Sequence, residues 1–299
     1  MKNFLIITNY YKDSEARLTN HIKEYIEKKG GSCSTFFSNG ETPGEAAPHR
    51  EDIPENTQGV LVLGGDGTLI RAAAALVKSR LPVRAARDLA QLDIPMIGVN
   101  LGTLGYLCEL EEKDVFAAVD KLMKDDYMVE ERMMLGGYGI KGGEILPADI
   151  ALNDVVIHRT GALSVVNLIV YVNGEYLNTF RADGIIISTP TGSTGYNMSA
   201  GGPIVDPKAQ MMLITPINDH NLSSKSIVIS ADEEVTVELG KRRSQKDEMV
   251  EVSFDGDSKV RLEVGDRFVV RRAEDTAKIC KLSSESFLEI LRRKMSAYT

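Results

Sequence analysis

Residues 59–71 read Gly59-Val60-Leu61-Val62-Leu63-Gly64-Gly65-Asp66-Gly67-Thr68-Leu69-Ile70-Arg71, and this stretch decides the fold. The unbroken apolar run over 59–63 reads as a buried parallel strand. It stops at Gly64-Gly65-Asp66-Gly67-Thr68, and a helical pattern follows over 69–78, including four consecutive alanines at 72–75. Glycines between a strand and a helix let the backbone approach a ligand closely. The helix that follows offers unpaired N–H groups and the positive end of its dipole to phosphate. One glycine would suffice for a plain turn; here there are three. Asp66 inside such a loop repels a phosphate unless it serves a hydroxyl, a metal ion or a proton. The combination points to phosphoryl transfer rather than to simple nucleotide holding.

Outward from this unit, strand and helix alternate. Residues 4–7 predict a strand, 13–29 a helix with Leu18, Ile22 and Ile26 on one stripe, and 34–37 a second strand. Residues 39–56, rich in Gly, Pro, Glu and Asn, read as a mobile loop. More helical sequence fills 81–93. A strand over 94–100 runs into 101–106, and 113–124 predicts an amphipathic helix. Such alternation implies a Rossmann-like α/β layer with a parallel sheet, whose ligands gather at the carboxyl ends of its strands. From about residue 130 the pattern changes to short β runs at 151–158, 164–172, 184–189, 226–230, 234–239, 249–254 and 267–271. Asn173-Gly174 and Asp255-Gly256 supply turn signals. The charged stretch 241–248 reads as a solvated hairpin tip, and 284–295 as a closing amphipathic helix. The organisation is therefore α/β + β. An α/β nucleotide-binding domain covers 1–130 and a mainly antiparallel β domain covers 131–283.

Composition narrows the partners. The chain has 299 residues, 43% of them hydrophobic, enough for one or two packed domains. A net charge of −8 argues against a nucleic-acid partner. No apolar run approaches the roughly 20 residues that span a bilayer, so no membrane partner is expected, and the N-terminus reads as a strand rather than a signal peptide. Cys33, Cys108 and Cys280 are far apart and odd in number, and His21, His49, His158 and His220 are dispersed. They form no metal or disulfide pattern, which fits a reducing cytoplasm.

Two further segments carry chemistry. Residues 183–203 begin as a β run and pass into a loop dense in hydroxyls and glycines, Thr189-Pro-Thr-Gly-Ser-Thr-Gly-Tyr196, where Tyr196 is placed to cover a flat ring. Apolar residues on either side argue for an ordered loop that offers hydrogen-bond donors, against the alternative of a mobile linker. In Ala151-Leu-Asn-Asp-Val-Val-Ile157, Asn153 and Asp154 interrupt an apolar strand. Such a pair can donate and accept along a base, amide or ribose edge; the plainer reading is a bulge or an Asx turn.

In this order and spacing, the segments resemble the NAD kinase family, including Gly98-Val-Asn-Leu-Gly-Thr-Leu-Gly105 and the Asn153-Asp154 pair. The resemblance covers the chain from the first strand to about Gly256. It implies phosphorylation of NAD by ATP, with Mg²⁺, at the adenosine ribose 2′-hydroxyl, giving NADP. Asp66 would be the catalytic acid–base residue and would also touch NAD. Gly64, Gly65, Gly67 and Thr68 would form the phosphate loop for ATP, with Gly67 and Arg71 beside the reacting groups. Tyr106, where the family usually has Phe, would line a ring pocket and tune preference between NAD and NADH. Asn153 and Asp154 would grip the dinucleotide. Arg181 and Asp183 would flank the site, the latter near the nicotinamide end. Thr194, Gly195, Tyr196, Asn197, Met198 and Ser199 would form the adenine-side wall, with Thr215 at the same end. Gly195 stands where the family usually has alanine and should loosen the loop. By the same resemblance the last helix, within 284–299, returns to the first domain, the β domain carries much of the NAD site, and the protein is a homodimer or homotetramer. A lipid kinase of the diacylglycerol or sphingosine type shares the glycine loop but lacks support from this acidic composition, and a catalytically silent NAD-binding regulator would not need Asp66.

Overall fold

The computed structural model describes residues 1–39, 47–79, 94–102, 105–146, 149–160, 165–221, 225–241 and 249–296. The chain divides into two compact units, one formed by Met1–Glu131 with Ala277–Thr299 and one by Arg132–Thr276.

In the first unit, β1 (Asn3–Asn9), β2 (Ser32–Ser38), β3 (Gly59–Gly64) and β4 (Met96–Asn100) form a parallel sheet in the order β2-β1-β3-β4, with β5 (Leu110–Glu111) parallel to β4. Every residue of β3 and β4 is buried, as an apolar run without alternation requires of a strand covered on both faces. Leu61, Leu63, Ile97 and Val99 pack on one face with Ile22 and Ile26 of α1 (Arg17–Lys28) and with Val115, Val119 and Leu122 of α3 (Val115–Met123). Alternation leaves Val60 and Val62 on the opposite face, where α2 (Asp66–Lys78) lies against β3 and β4. The helix expected from residue 13 starts at Arg17. Asp13 accepts hydrogen bonds from the Leu18 and Thr19 N–H groups and the Thr19 hydroxyl, and Ala16 turns at φ 54°, so 13–16 is a cap rather than a first turn. α2, in contrast, starts earlier than the 69–78 pattern, at Asp66 itself. The helical reading of 81–93 and most of the 39–56 loop lie outside the described residues.

The second unit is antiparallel. Strands β9 (Asp154–Arg159), β12 (Gly184–Ser188), β13 (Met211–Ile217), β14 (Ile227–Ser230), β16 (Met249–Phe254) and β17 (Ser258–Glu263) form one sheet in the order β14-β13-β12-β9-β16-β17. A second sheet holds β10 (Val166–Val172), β11 (Glu175–Ala182), β15 (Val235–Gly240) and β18 (Arg267–Lys281), and β6 (Met128–Lys141) pairs with β18 and with the short β7 (Glu144–Ile145) and β8 (Asp149–Ala151). Val155, Ile157, Ile185, Ile187, Ile214, Val250 and Val252 from the first sheet meet Leu168, Val170, Val235, Val237, Phe268 and Val270 from the second in one apolar core. The β16–β17 turn, residues 255–257, places Asp255 and Gly256 at φ 50° and 84°, left-handed conformations that Asp and Gly adopt readily. β18 also reaches the first unit, where Ile279 pairs in parallel with Met96 of β4, and α5 (Phe287–Ser296) follows it there.

Strands β6, β11, β13 and β17 escaped the sequence pattern, and β18 continues ten residues beyond the predicted run. Each carries charges, glycines or a proline that blur period-2 alternation: Gly136 and Gly137 in β6, Pro216 in β13, and Arg271-Arg272-Ala273-Glu274-Asp275 in β18. Residues 242–248 of the expected hairpin tip lie outside the described residues.

Candidate functional site

The first unit gathers Gly64, Gly65, Asp66, Gly67 and Thr68 at the carboxyl end of β3. Gly65 caps α2, so Asp66 is the first helical residue rather than part of a free loop. Its carboxylate is held by the segment after β4. Oδ2 accepts the Tyr106 N–H at 2.6 Å, and Oδ1 accepts those of Leu107 and Cys108 at 3.2 and 3.1 Å. A carboxylate has about four acceptor positions. Among the described residues, main-chain donors fill two on Oδ1 and one on Oδ2, and the Cys108 thiol adds a side-chain hydrogen bond to the same carboxylate. The loop wraps this closely because residue 105 is glycine, since a Cβ there would overlap the Asp66 carboxylate. Two residues of that loop, 103 and 104, lie outside the described set. Asn100 closes the same strand end, accepting the Gly102 N–H and donating to the Gly102 carbonyl. Thr68 accepts from the Asn9 amide at the end of β1.

Arg71 follows on α2, with its Nε buried and without a hydrogen-bond partner, and Gly67 leaves room beside its guanidinium. Tyr106 contributes its backbone N–H to Asp66, and its ring lies beneath the Lys294 ammonium of α5, 4.9 Å from the centroid. Lys294 is 92% buried by residue exposure, 8% remaining. Burial pushes the Cys108 thiol far above its ordinary range, with the Asp66 charge adding to the effect, so this cysteine stays protonated.

In the second unit the site residues converge where β8 gives way to β9. Asn153 is not within a strand, as predicted, but in a bend between them, and Asp154 opens β9. The bend is stitched from two sides. Asp255 accepts the N–H groups of Leu152, Asn153 and Asp154. From the other side, the Thr189 N–H and the Ser188 hydroxyl donate to the Asn153 carbonyl, and the Thr189 hydroxyl donates to Leu152 O at 2.6 Å. Gly192 packs so close to the Asn153 backbone that a Cβ would overlap it. With its backbone so engaged, Asn153 keeps one side-chain atom, Oδ1, buried and without a partner. Asp154 is buried, and Asp255, half-buried, lies beside it. Desolvation raises both carboxyls, each further opposed by a neighbouring acid, Asp255 for Asp154 and Asp257 for Asp255.

The hydroxyl-rich loop corrects the expectation drawn from its composition. Ser188, Thr189, Ser193 and Thr194 spend their hydroxyls on main-chain carbonyls within the unit rather than offering them outward. Asn197 points inward too. Its amide donates to Ser193 O and Pro203 O and accepts from the Thr215 hydroxyl at 2.7 Å, so Asn197 and Thr215 fasten the one-turn helix α4 (Tyr196–Ser199) to β13 rather than form an open wall. Tyr196, Met198 and Ser199 face outward on that turn, and Gly195 precedes it in contact distance of the Asn153 amide. Arg181 and Asp183 stand elsewhere, at the opposite end of β12, five residues or roughly 17 Å of strand from the loop. Asp183 accepts from Asn218 and from Arg159 at 2.7 Å, and these two donors hold it below the usual carboxylate range. Arg159 and Asp255 were missed in the sequence: one lies just past the β run read over 151–158, the other read only as turn punctuation.

A phosphate-type glycine turn with a pinned carboxylate, followed by an antiparallel β unit with an ordered polar loop, defines a two-unit phosphotransferase. Models of the ATP-NAD kinase N-terminal domain and C-terminal domain match residues 4–127 and 152–282. An NAD kinase of Agathobacter rectalis is 56% identical over 299 residues, covering all of both chains. Among solved structures, a yeast NADH kinase complexed with NADH superposes with TM-score 0.84 over 99% of this chain and 88% of its own at 22% identity, and an NAD kinase from Archaeoglobus fulgidus in complex with ATP with TM-score 0.72 over 98% and 97% at 21%. The chain belongs to the NAD kinase family.

Proposed function

We propose that the protein transfers the terminal phosphoryl group of MgATP to the adenosine ribose 2′-hydroxyl of NAD, giving NADP, with Asp66 as the proton acceptor. The observation that carries this reading is the Asp66 carboxylate, fixed by three backbone donors where β3 passes through the glycine turn into α2. An alcohol is too weak an acid for a carboxylate to deprotonate it ahead of reaction. In a loose phosphoryl-transfer transition state the proton becomes acidic late, so Asp66 orients the hydroxyl first and takes its proton last. Mg²⁺ is part of the donor, ligated by phosphate and water oxygens; among the described residues no three acids, histidines or cysteines converge to hold it.

The β unit, in this reading, carries much of the NAD site. Asn153 Oδ1 accepts from the adenine or ribose edge, and Tyr196, Met198 and Ser199 line the adenine side. Arg181 and Asp183 serve the nicotinamide end. A homodimer or homotetramer and a cytoplasmic place of action complete the reading, on family resemblance and on three free, dispersed cysteines. Purified protein incubated with NAD, ATP and Mg²⁺ should form NADP, read through an NADP-specific dehydrogenase. Folded protein that binds NAD and makes no NADP would overturn it.

A further inference from the structure

We infer that Lys12 is the donor-binding cation of the phosphate site, taking the charge of the donor's polyphosphate chain between the two glycine turns. Lys12 follows β1, whose carboxyl end lies beside that of β3 through the pairing of Thr8 with Leu63. Among the described residues its ammonium donates one long hydrogen bond, 3.4 Å, to the Gly64 carbonyl. A Cβ on Gly65 would sit 3.1 Å from Lys12 Nζ, and one on Gly102 3.0 Å from it. Neither glycine is explained by its backbone. Gly65 is extended at φ −151°, and Gly102 is not among the residues with positive φ. At both, the missing Cβ leaves room for the Lys12 ammonium.

A lysine in that notch, at the N-terminus of a 13-residue helix and beside the pinned Asp66, is a point charge with donors to spare. Phosphate oxygens satisfy those donors and gain the helix N–H groups as well. The inference rests on the phosphotransferase reading above. In the transfer, the bond from the terminal phosphorus to its bridging oxygen breaks, and that oxygen leaves with the electron pair on the diphosphate. The acceptor oxygen forms the new P–O bond and its proton passes to Asp66. Lys12 forms no covalent bond; it offsets the charge of the chain.

Calorimetric titration of the full chain with ATP and, separately, with tripolyphosphate tests this on wild type, Lys12→Met and Lys12→Arg. Lys12→Met should bind both about 10- to 100-fold more weakly, the loss expected for one charged hydrogen-bonding partner. Lys12→Arg should recover most of the affinity. The dissociation constant for NAD alone should not move, which separates lost donor binding from misfolding. Unchanged tripolyphosphate affinity in Lys12→Met would overturn the assignment, and so would a loss confined to ATP, which would place Lys12 at the nucleoside end. The outcome is independent of turnover: wild type that binds tripolyphosphate through Lys12 but makes no NADP would sink the kinase reading and leave this one standing.

Discussion

The strand ends of the first unit and the stitched bend of the second solve the same problem, fixing a polar group in place, in opposite ways. At Asp66 the backbone does the placing. Three N–H groups and a glycine without a Cβ fix the carboxylate. Around Asn153 side chains do most of the placing, helped by the Thr189 N–H. Ser188, Thr189 and Asp255 saturate the backbone so that a single amide oxygen is left over. Backbone scaffolding positions a reacting atom tightly, whereas side-chain stitching builds a shaped surface. Substitutions in the first region should therefore change turnover, and those in the second should change affinity or stability.

The largest effect tests the first half of that division. Asp66→Asn should lower kcat by about two to four decades, the range for a positioned base, while calorimetry shows NAD affinity near wild type. Turnover within about tenfold of wild type would remove Asp66 from its role. Gly105→Ala follows, because the new methyl must displace the Asp66 carboxylate or the loop that holds it. A shift of about 1 Å at a reacting group costs on the order of a hundredfold, so kcat should fall by about that factor with NAD binding retained. If the loss appeared in KM for NAD instead, the division between the regions would fail. Asn153→Ala should do the reverse, weakening NAD binding about tenfold, as for one buried hydrogen bond, with a much smaller change in kcat at saturation.

The acid pair of the second unit sharpens the contrast through pH. Burial raises the folded-state pKa of Asp154 and Asp255 above the unfolded value. A raised carboxyl binds its proton more tightly in the folded state, so its contribution is fully present below the unfolded pKa and is lost as pH rises through the folded one. Thermal unfolding from about pH 5 to about pH 8 should show wild type losing ground against Asp154→Asn as pH rises. Parallel curves would mean that the pair stays ionised throughout.

How much of this was legible in the sequence follows the same division. The Gly64–Thr68 turn announced itself, because a strand, glycines and a helix in succession are local. The α/β-then-β order was equally readable. What three backbone donors do to Asp66 was not, since Tyr106, Leu107 and Cys108 are about 40 residues away and a main-chain N–H leaves no mark on composition. The hydroxyl loop misled for a related reason. Ser and Thr advertise donors, but whether these face a ligand or the loop's own carbonyls depends on packing against Leu152 and Asn153, some 35 residues earlier. Lys12 carried a usable signal. It follows a predicted strand at the end where a parallel sheet collects its ligands, and only the sheet order, β1 beside β3, turns that into proximity.

Tyr106 is the residue where the two regions' styles meet, and it should show the smallest effect. Its backbone N–H belongs to the scaffold of Asp66, while its ring is a surface, packed under Lys294 of α5. Tyr106→Phe keeps both the N–H and the ring face and removes only the hydroxyl. If the backbone alone sets turnover, kcat should change by less than about threefold, below the usual worth of one net hydrogen bond. The ratio of kcat/KM for NAD to that for NADH is the quantity free to move, because the hydroxyl is the one group that distinguishes this residue from the usual Phe. A large drop in kcat with both acceptors would show that the hydroxyl also supports the Asp66 carboxylate, and that the first region is not fixed by its backbone alone.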